Sequence, residues 1–208
     1  MAHAAGPLRW LALGDSYTIG EGVAPDGRWP EQLAALLRAR GIAIAPPHIL
    51  ARTGWTTDEL SAAIDGEALA PSHDLVSLLI GVNDQYRGRG LDEYAAQFTA
   101  LLARAIGFAG GRAGRVLVLS IPDWGVTPFG ATSGRNVAAI ARELDACNAT
   151  AAAICAARGV AFVDITGLSR DPGAMPHMLA ADGLHPSAGQ YALWAECALP
   201  VAKALLHR

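Results

Sequence analysis

Asp182 and His185 stand three residues apart in AADGLHPS (180–187). In a turn, that spacing lets a carboxylate reach Nδ1 of the imidazole and fix its tautomer, leaving Nε2 free to accept a proton. Ser16, in LALGDSYTIGEG (11–22), is a candidate source of that proton. A serine hydroxyl is a poor nucleophile until a neighbouring imidazole takes its hydrogen, and the three residue types together are those of acyl transfer. Gly, Asp and Ser are also ordinary turn residues, so the first stretch does not decide the matter by itself. A tetrahedral intermediate further requires N–H groups aimed at its oxyanion. The candidates are the backbone N–H groups of Ser16 and of Gly54, in RTGWTTD (52–58), and the side-chain amide of Asn83, in GVNDQ (81–85).

These residues need elements to bring them together. Apolar runs of strand character recur at 8–14, 44–51, 74–81, 115–121 and 160–166. Between them, helical spacing predicts helices over 30–41, 56–69, 91–108, 133–159 and 187–208. The second opens with Thr56 and Glu59 at capping-box spacing. Pro200 is expected to kink or interrupt the last. Strand and helix alternate about five times and the strands are continuously apolar, which predicts a parallel sheet covered on both faces: a three-layer α/β fold. In such sheets ligands bind beyond the carboxyl ends of the strands, where Ser16, Gly54, Asn83 and Trp124 all follow directly. The Gly- and Pro-rich stretch 121–134 reads as a long surface loop.

A chain of 208 residues, 52% of them apolar, suffices for one core, so residues 1–208 are expected to form a single domain. A formal net charge of −3 with 17% charged residues argues for no nucleic-acid partner. Cys147, Cys155 and Cys197 lack metal-ligand spacing and read as free thiols of a reducing compartment. The first residues, MAHAAGPLRWLALG, hold too few consecutive apolar positions for a signal core or a membrane anchor, which predicts a soluble, cytoplasmic protein.

Other residues have plainer readings. Asp15 and Asp84 are expected to brace their turns. Trp55, Tyr86, Trp124 and Phe129 follow strand ends and are candidate walls of a substrate groove, with packing between loop and helix as the alternative. His177 is a candidate for the same pocket. His48 and His73 fall on the wrong side of the sheet, and His3 and His207 near the termini. Glu31, Glu59, Arg38 and Arg40 read as solvated helix faces.

GDS (14–16), TG around Gly54, GVND (81–84) and DGLHPS (182–187) resemble, in order, the four signature blocks of the SGNH hydrolases, the GDSL-type esterases and lipases. The resemblance implies a flavodoxin-like sandwich of about five parallel strands in the order 2-1-3-4-5. It implies Ser16 as nucleophile and oxyanion donor, Gly54 and Asn83 as further donors, His185 as base and Asp182 as third member of a triad. Tyr17 stands where the family name has leucine, which bears on the pocket wall. A small-molecule acyl ester is the implied partner, with thioesters and lysophospholipids as alternatives; no metal, nucleotide or flavin cofactor is implied. A reading from another class, a non-catalytic acyl- or phosphate-binding flavodoxin-like module, lacks GxGxxG and GxxxxGK[ST] and leaves Asp182 and His185 without a task.

Overall fold

The computed structural model describes residues 6–207. In chain order the elements are β1 (Trp10–Gly14), α1 (Ser16–Ile19), α2 (Trp29–Ala39), β2 (His48–Ala51), α3 (Thr57–Gly66), β3 (Leu75–Leu79), α4 (Val82–Tyr86) and α5 (Leu91–Phe108). There follow β4 (Val116–Leu119), α6 (Pro128–Thr132), α7 (Val137–Arg158), β5 (Ala161–Val163), α8 (Thr166–Arg170) and α9 (Ala188–Leu206). The strands form one parallel sheet in the order β2-β1-β3-β4-β5, as expected.

The sheet shows why the apolar runs are continuous at its centre. Every residue of β1 and β3 is buried, and so is every residue of β4, because helices cover both faces. The edge strands β2 and β5 are half-exposed, and all the strands are shorter than their apolar runs. The register pairs Gly14 with both Ala51 and Leu79, so the connections leaving β1, β2 and β3 begin level with one another. A side chain at Gly14 would run into Thr18 and the Leu79 carbonyl, so only glycine lets the chain turn there into α1.

Two expectations are corrected in part: Pro200 does not interrupt the last helix, and the stretch 121–134 is not a surface loop throughout. Helix α9 passes through Pro200 as one element. Its face made by Tyr191, Trp194, Ala195, Ala198 and Ala202 is fully buried, while Pro200 and Glu196 lie on the exposed face, where a proline costs least. The stretch 121–134 is a surface segment only in its second half: Ile121 to Gly125 are buried, with a 3₁₀ turn at Trp124–Val126, whereas most of 128–134, including α6, is exposed. Asn148 of α7 pins the Ile121 backbone from both sides, accepting its N–H at 2.8 Å and donating to its carbonyl at 2.9 Å. Asp123 caps the 3₁₀ turn through the Gly125 N–H and pairs with Arg170 at 2.9 Å. Cys147 and Cys155 lie buried in α7, and burial pushes their thiols up to about 11 and about 12. Among the described residues, no helix is long and apolar enough to cross a membrane.

Candidate active site

A cavity of about 200 Å³ opens at the carboxyl edge of the sheet, and Ser16, Gly54, Asn83 and His185 all line it. Ser16 is the first residue of α1 and is 5% exposed. The turn before it is braced by Asp15, whose Oδ1 accepts the Tyr17 N–H at 3.0 Å; no side chain partners its other carboxyl oxygen. Burial pushes the Asp15 carboxyl up to about 8.

Asp182 and His185 meet within a single turn. His185 Nδ1 lies 2.6 Å from Asp182 Oδ2, and Oδ1 of the same carboxylate accepts the backbone N–H groups of Leu184 and His185 at 2.9 and 3.0 Å. Partial burial works against the Asp182 charge, but the hydrogen bonds from His185 and the two backbone groups outweigh it and hold the carboxyl below its ordinary range. The turn is closed on its own flank by the bridge between Leu179 and Pro186 and by the Ala180 N–H donating to the His185 carbonyl at 2.7 Å. Tyr17 sets its ring edge-on to the imidazole with centroids 5.8 Å apart and is itself backed by Trp194, so the residue at the leucine place of the first block packs on the histidine.

Opposite stands the segment 52–57. Trp55 N–H closes a turn onto the Arg52 carbonyl at 3.2 Å, and Gly54 takes the position of that turn with φ +86°, which L side chains rarely adopt. Helix α4 holds this segment. Asn83 donates to the Trp55 carbonyl at 2.9 Å, and Asp84 accepts from Thr57 through N–H at 3.0 Å and hydroxyl at 2.7 Å. Asp84 is thus a brace, as its type suggested. Arg87 Nη2 donates to the Gly54 carbonyl at 2.7 Å while Nη1 pairs with Glu59 at 3.1 Å. Glu59 is therefore not a plain solvated position, since it also closes the capping box of α3 with Thr56.

The remaining wall is aromatic. Tyr86, Trp124 and Phe129 line the cavity and contact one another, with centroids 5.4 to 6.4 Å apart. Trp124 is held by Gln85, which accepts its indole N–H at 2.9 Å and donates to Glu143 at 2.6 Å. Trp55 and His177 take no part in the lining. Trp55 packs against the core, and His177 is exposed on a 3₁₀ turn where only its carbonyl is engaged, by Ser187. His48 opens β2 at the opposite end of the sheet, His73 is buried against Phe108, and His207 caps α9; His3 lies outside the described residues. Thr53, Val82 and Leu184 complete the lining without having been singled out in the sequence, and Thr53 is hydrogen-bonded to Glu21. The position of Arg87, four residues after Asn83 on the same face of a helical turn, was the available signal for its part.

A parallel 2-1-3-4-5 sheet carrying Ser, Gly, Asn and an Asp–His pair on its carboxyl edge has the residue set of a serine acylhydrolase. The chain belongs to the GDSL-like lipase/acylhydrolase family, whose model matches residues 12–193. Its fold is also that of solved structures of low sequence identity. TesA is 21% identical, with 95% of this chain and 99% of that chain covered and a TM-score of 0.74. Axe2, an acetylxylan esterase from Geobacillus stearothermophilus, is 22% identical over 95% of each chain with a TM-score of 0.73. A lipase/acylhydrolase from Enterococcus faecalis is 22% identical, over 95% of this chain and 96% of that one, with a TM-score of 0.71. No curated protein sequence matches the chain.

Proposed function

We propose that this protein is a cytoplasmic serine ester hydrolase, one catalytic domain that cleaves small acyl esters through an acyl-enzyme on Ser16. The observation that carries the reading is the Asp182–His185 pair, joined at 2.6 Å through Nδ1, with its imidazole in the same cavity as Ser16. With Nδ1 occupied, Nε2 is the nitrogen left to act as base. Ser16 Oγ attacks the ester carbonyl as its proton passes to His185. The oxyanion receives hydrogen bonds from the Ser16 and Gly54 backbone N–H groups and from Asn83. One amide hydrogen of Asn83 is committed to the Trp55 carbonyl, which orients the other toward the reacting oxygen. Collapse expels the alcohol, protonated by His185, and water then attacks the acyl-enzyme by the same route.

The size of the cleft supports the substrate class. Its volume of about 200 Å³ is a little larger than the ~150 Å³ cavity that accommodates benzene, so a short acyl chain or one ring fits inside. Longer chains must leave past Tyr86 and Phe129, which are half-exposed at the mouth. Free cysteines support a reducing compartment.

Intact-mass analysis after treatment with a fluorophosphonate, with peptide mapping, tests the reading. One stoichiometric adduct on Ser16, absent from Ser16→Ala and accompanied by turnover of p-nitrophenyl acetate or butyrate, is expected. Folded protein that takes no adduct and hydrolyses no ester refutes it.

A further inference from the structure

We infer that Arg87 is a positioning residue for the Gly54 oxyanion donor, and that Glu59 aims it. The inference rests on the serine-hydrolase reading and adds to the catalytic apparatus a side chain outside the four sequence blocks.

Gly54 N–H belongs to the central peptide of the turn closed by Arg52 and Trp55. The central peptide of a β-turn is the one whose orientation separates turn types, and inverting it would present the Thr53 carbonyl where the N–H is needed. A carbonyl there would repel the forming oxyanion instead of stabilising it. Glycine permits the required φ of +86° but, lacking a side chain, does not enforce it. The hold must come from outside the turn. The Gly54 carbonyl is taken by Arg87 Nη2 at 2.7 Å, and the next carbonyl, Trp55, by Asn83 at 2.9 Å. Asp84 grips Thr57 beyond them. Three side chains of one helical turn and its cap thus hold successive groups of the oxyanion segment. Asn83 gives one amide hydrogen to the Trp55 carbonyl and the other to the substrate, so the Gly54 carbonyl needs a donor of its own.

The guanidinium is suited to this use. Its planar fork donates in two fixed directions, to the Gly54 carbonyl and to Glu59 Oε1 at 3.1 Å. Glu59 is in turn immobilised by the Thr56 N–H at the head of α3. The chain of contacts runs from a helix cap through a carboxylate and a guanidinium to one peptide of the cavity wall. Arg87 is partly exposed, with 44% of its side chain accessible, which fits positioning better than a stability role.

The test compares wild type with Arg87→Ala, Arg87→Lys and Glu59→Gln on p-nitrophenyl butyrate, with melting temperature and the rate of fluorophosphonate inactivation measured alongside. Arg87→Ala is expected to lower kcat about 10- to 100-fold with KM changed less than about twofold and the inactivation rate falling in parallel. Arg87→Lys, which keeps the charge without the fork, should recover part of the loss, and millimolar guanidinium should rescue Arg87→Ala where methylammonium does not. Glu59→Gln should show a smaller loss in kcat of the same kind. Unchanged kcat in Arg87→Ala overturns the assignment. So does a loss that follows the melting temperature and is not rescued by guanidinium or by lysine. Wild-type protein that takes no adduct and turns over no ester overturns the hydrolase reading, and this assignment with it; labelled wild type with an equally fast Arg87→Ala overturns this assignment alone.

Discussion

The two walls of the active-site cleft are built by different means. The wall that carries His185 is local: the hydrogen bonds that orient the imidazole come from Asp182, three residues away, and the carboxylate is satisfied by backbone N–H groups of the same turn. The wall that carries Gly54 is assembled from a distance. Its carbonyls, its following N–H and its helix cap are held by Asn83, Asp84 and Arg87, which lie 27 to 33 positions further along the chain. The exposed Asp182 of the local pair can be altered without disturbing the core, whereas in the distant clamp Asp84 is buried and Arg87 exposed, so damage at Asp84 should appear in stability and damage at Arg87 in rate.

The sharpest break between the two walls should come from Asp182→Asn. The amide can still accept the backbone N–H groups, but it turns an N–H toward His185 Nδ1 and selects the wrong tautomer. A fall in kcat on the order of 10³–10⁴-fold is expected with the melting temperature unmoved. A large loss of stability would show that the local turn is structural after all. Next in size is Asn83→Ala, expected to cost roughly 10²–10³ in kcat through the lost donor; steady-state kinetics showing a change in KM alone would remove Asn83 from the oxyanion site.

Asp84→Ala probes the distant wall as structure. It strands the fully buried Thr57 N–H, and urea unfolding should register a loss of about 1–3 kcal/mol. Full stability in that variant would mean that the clamp is incidental.

A pH-dependent effect concerns the base of the nucleophile turn. Burial pushes the Asp15 carboxyl from the ordinary carboxylate range, near 4, up to about 8. Between those values the folded protein binds more protons than the unfolded chain, so this residue makes stability fall as pH rises from about 4 to about 8. Asparagine caps a helix as well as aspartate does and carries no charge to desolvate. Urea unfolding at pH 5 and pH 8 should therefore show Asp15→Asn gaining on wild type at the higher pH; parallel behaviour of the two proteins would contradict an ionisable, buried Asp15.

What the chain reveals without its fold is what neighbours in sequence decide. Helix α5 is bounded where its apolar spacing begins and ends, Thr56 and Glu59 close the capping box that their spacing announces, and Asp182 and His185 pair as three-residue spacing allows. Strand number and parallel direction follow from the apolar runs, while the order 2-1-3-4-5 comes only with the family resemblance. The misread parts depend on partners remote in sequence. The first half of the Gly- and Pro-rich stretch after β4 is buried because Asn148, Arg170 and Gln85 receive it, and Pro200 sits inside a helix because α9 buries its opposite face. Arg87 is an exposed cation by composition and a holder of the oxyanion turn by position. Local pattern records periodicity and turn chemistry over a few residues; which distant donor meets which orphan carbonyl is settled only when sheet and helices pack, because a hydrogen bond's geometry is then imposed from both ends.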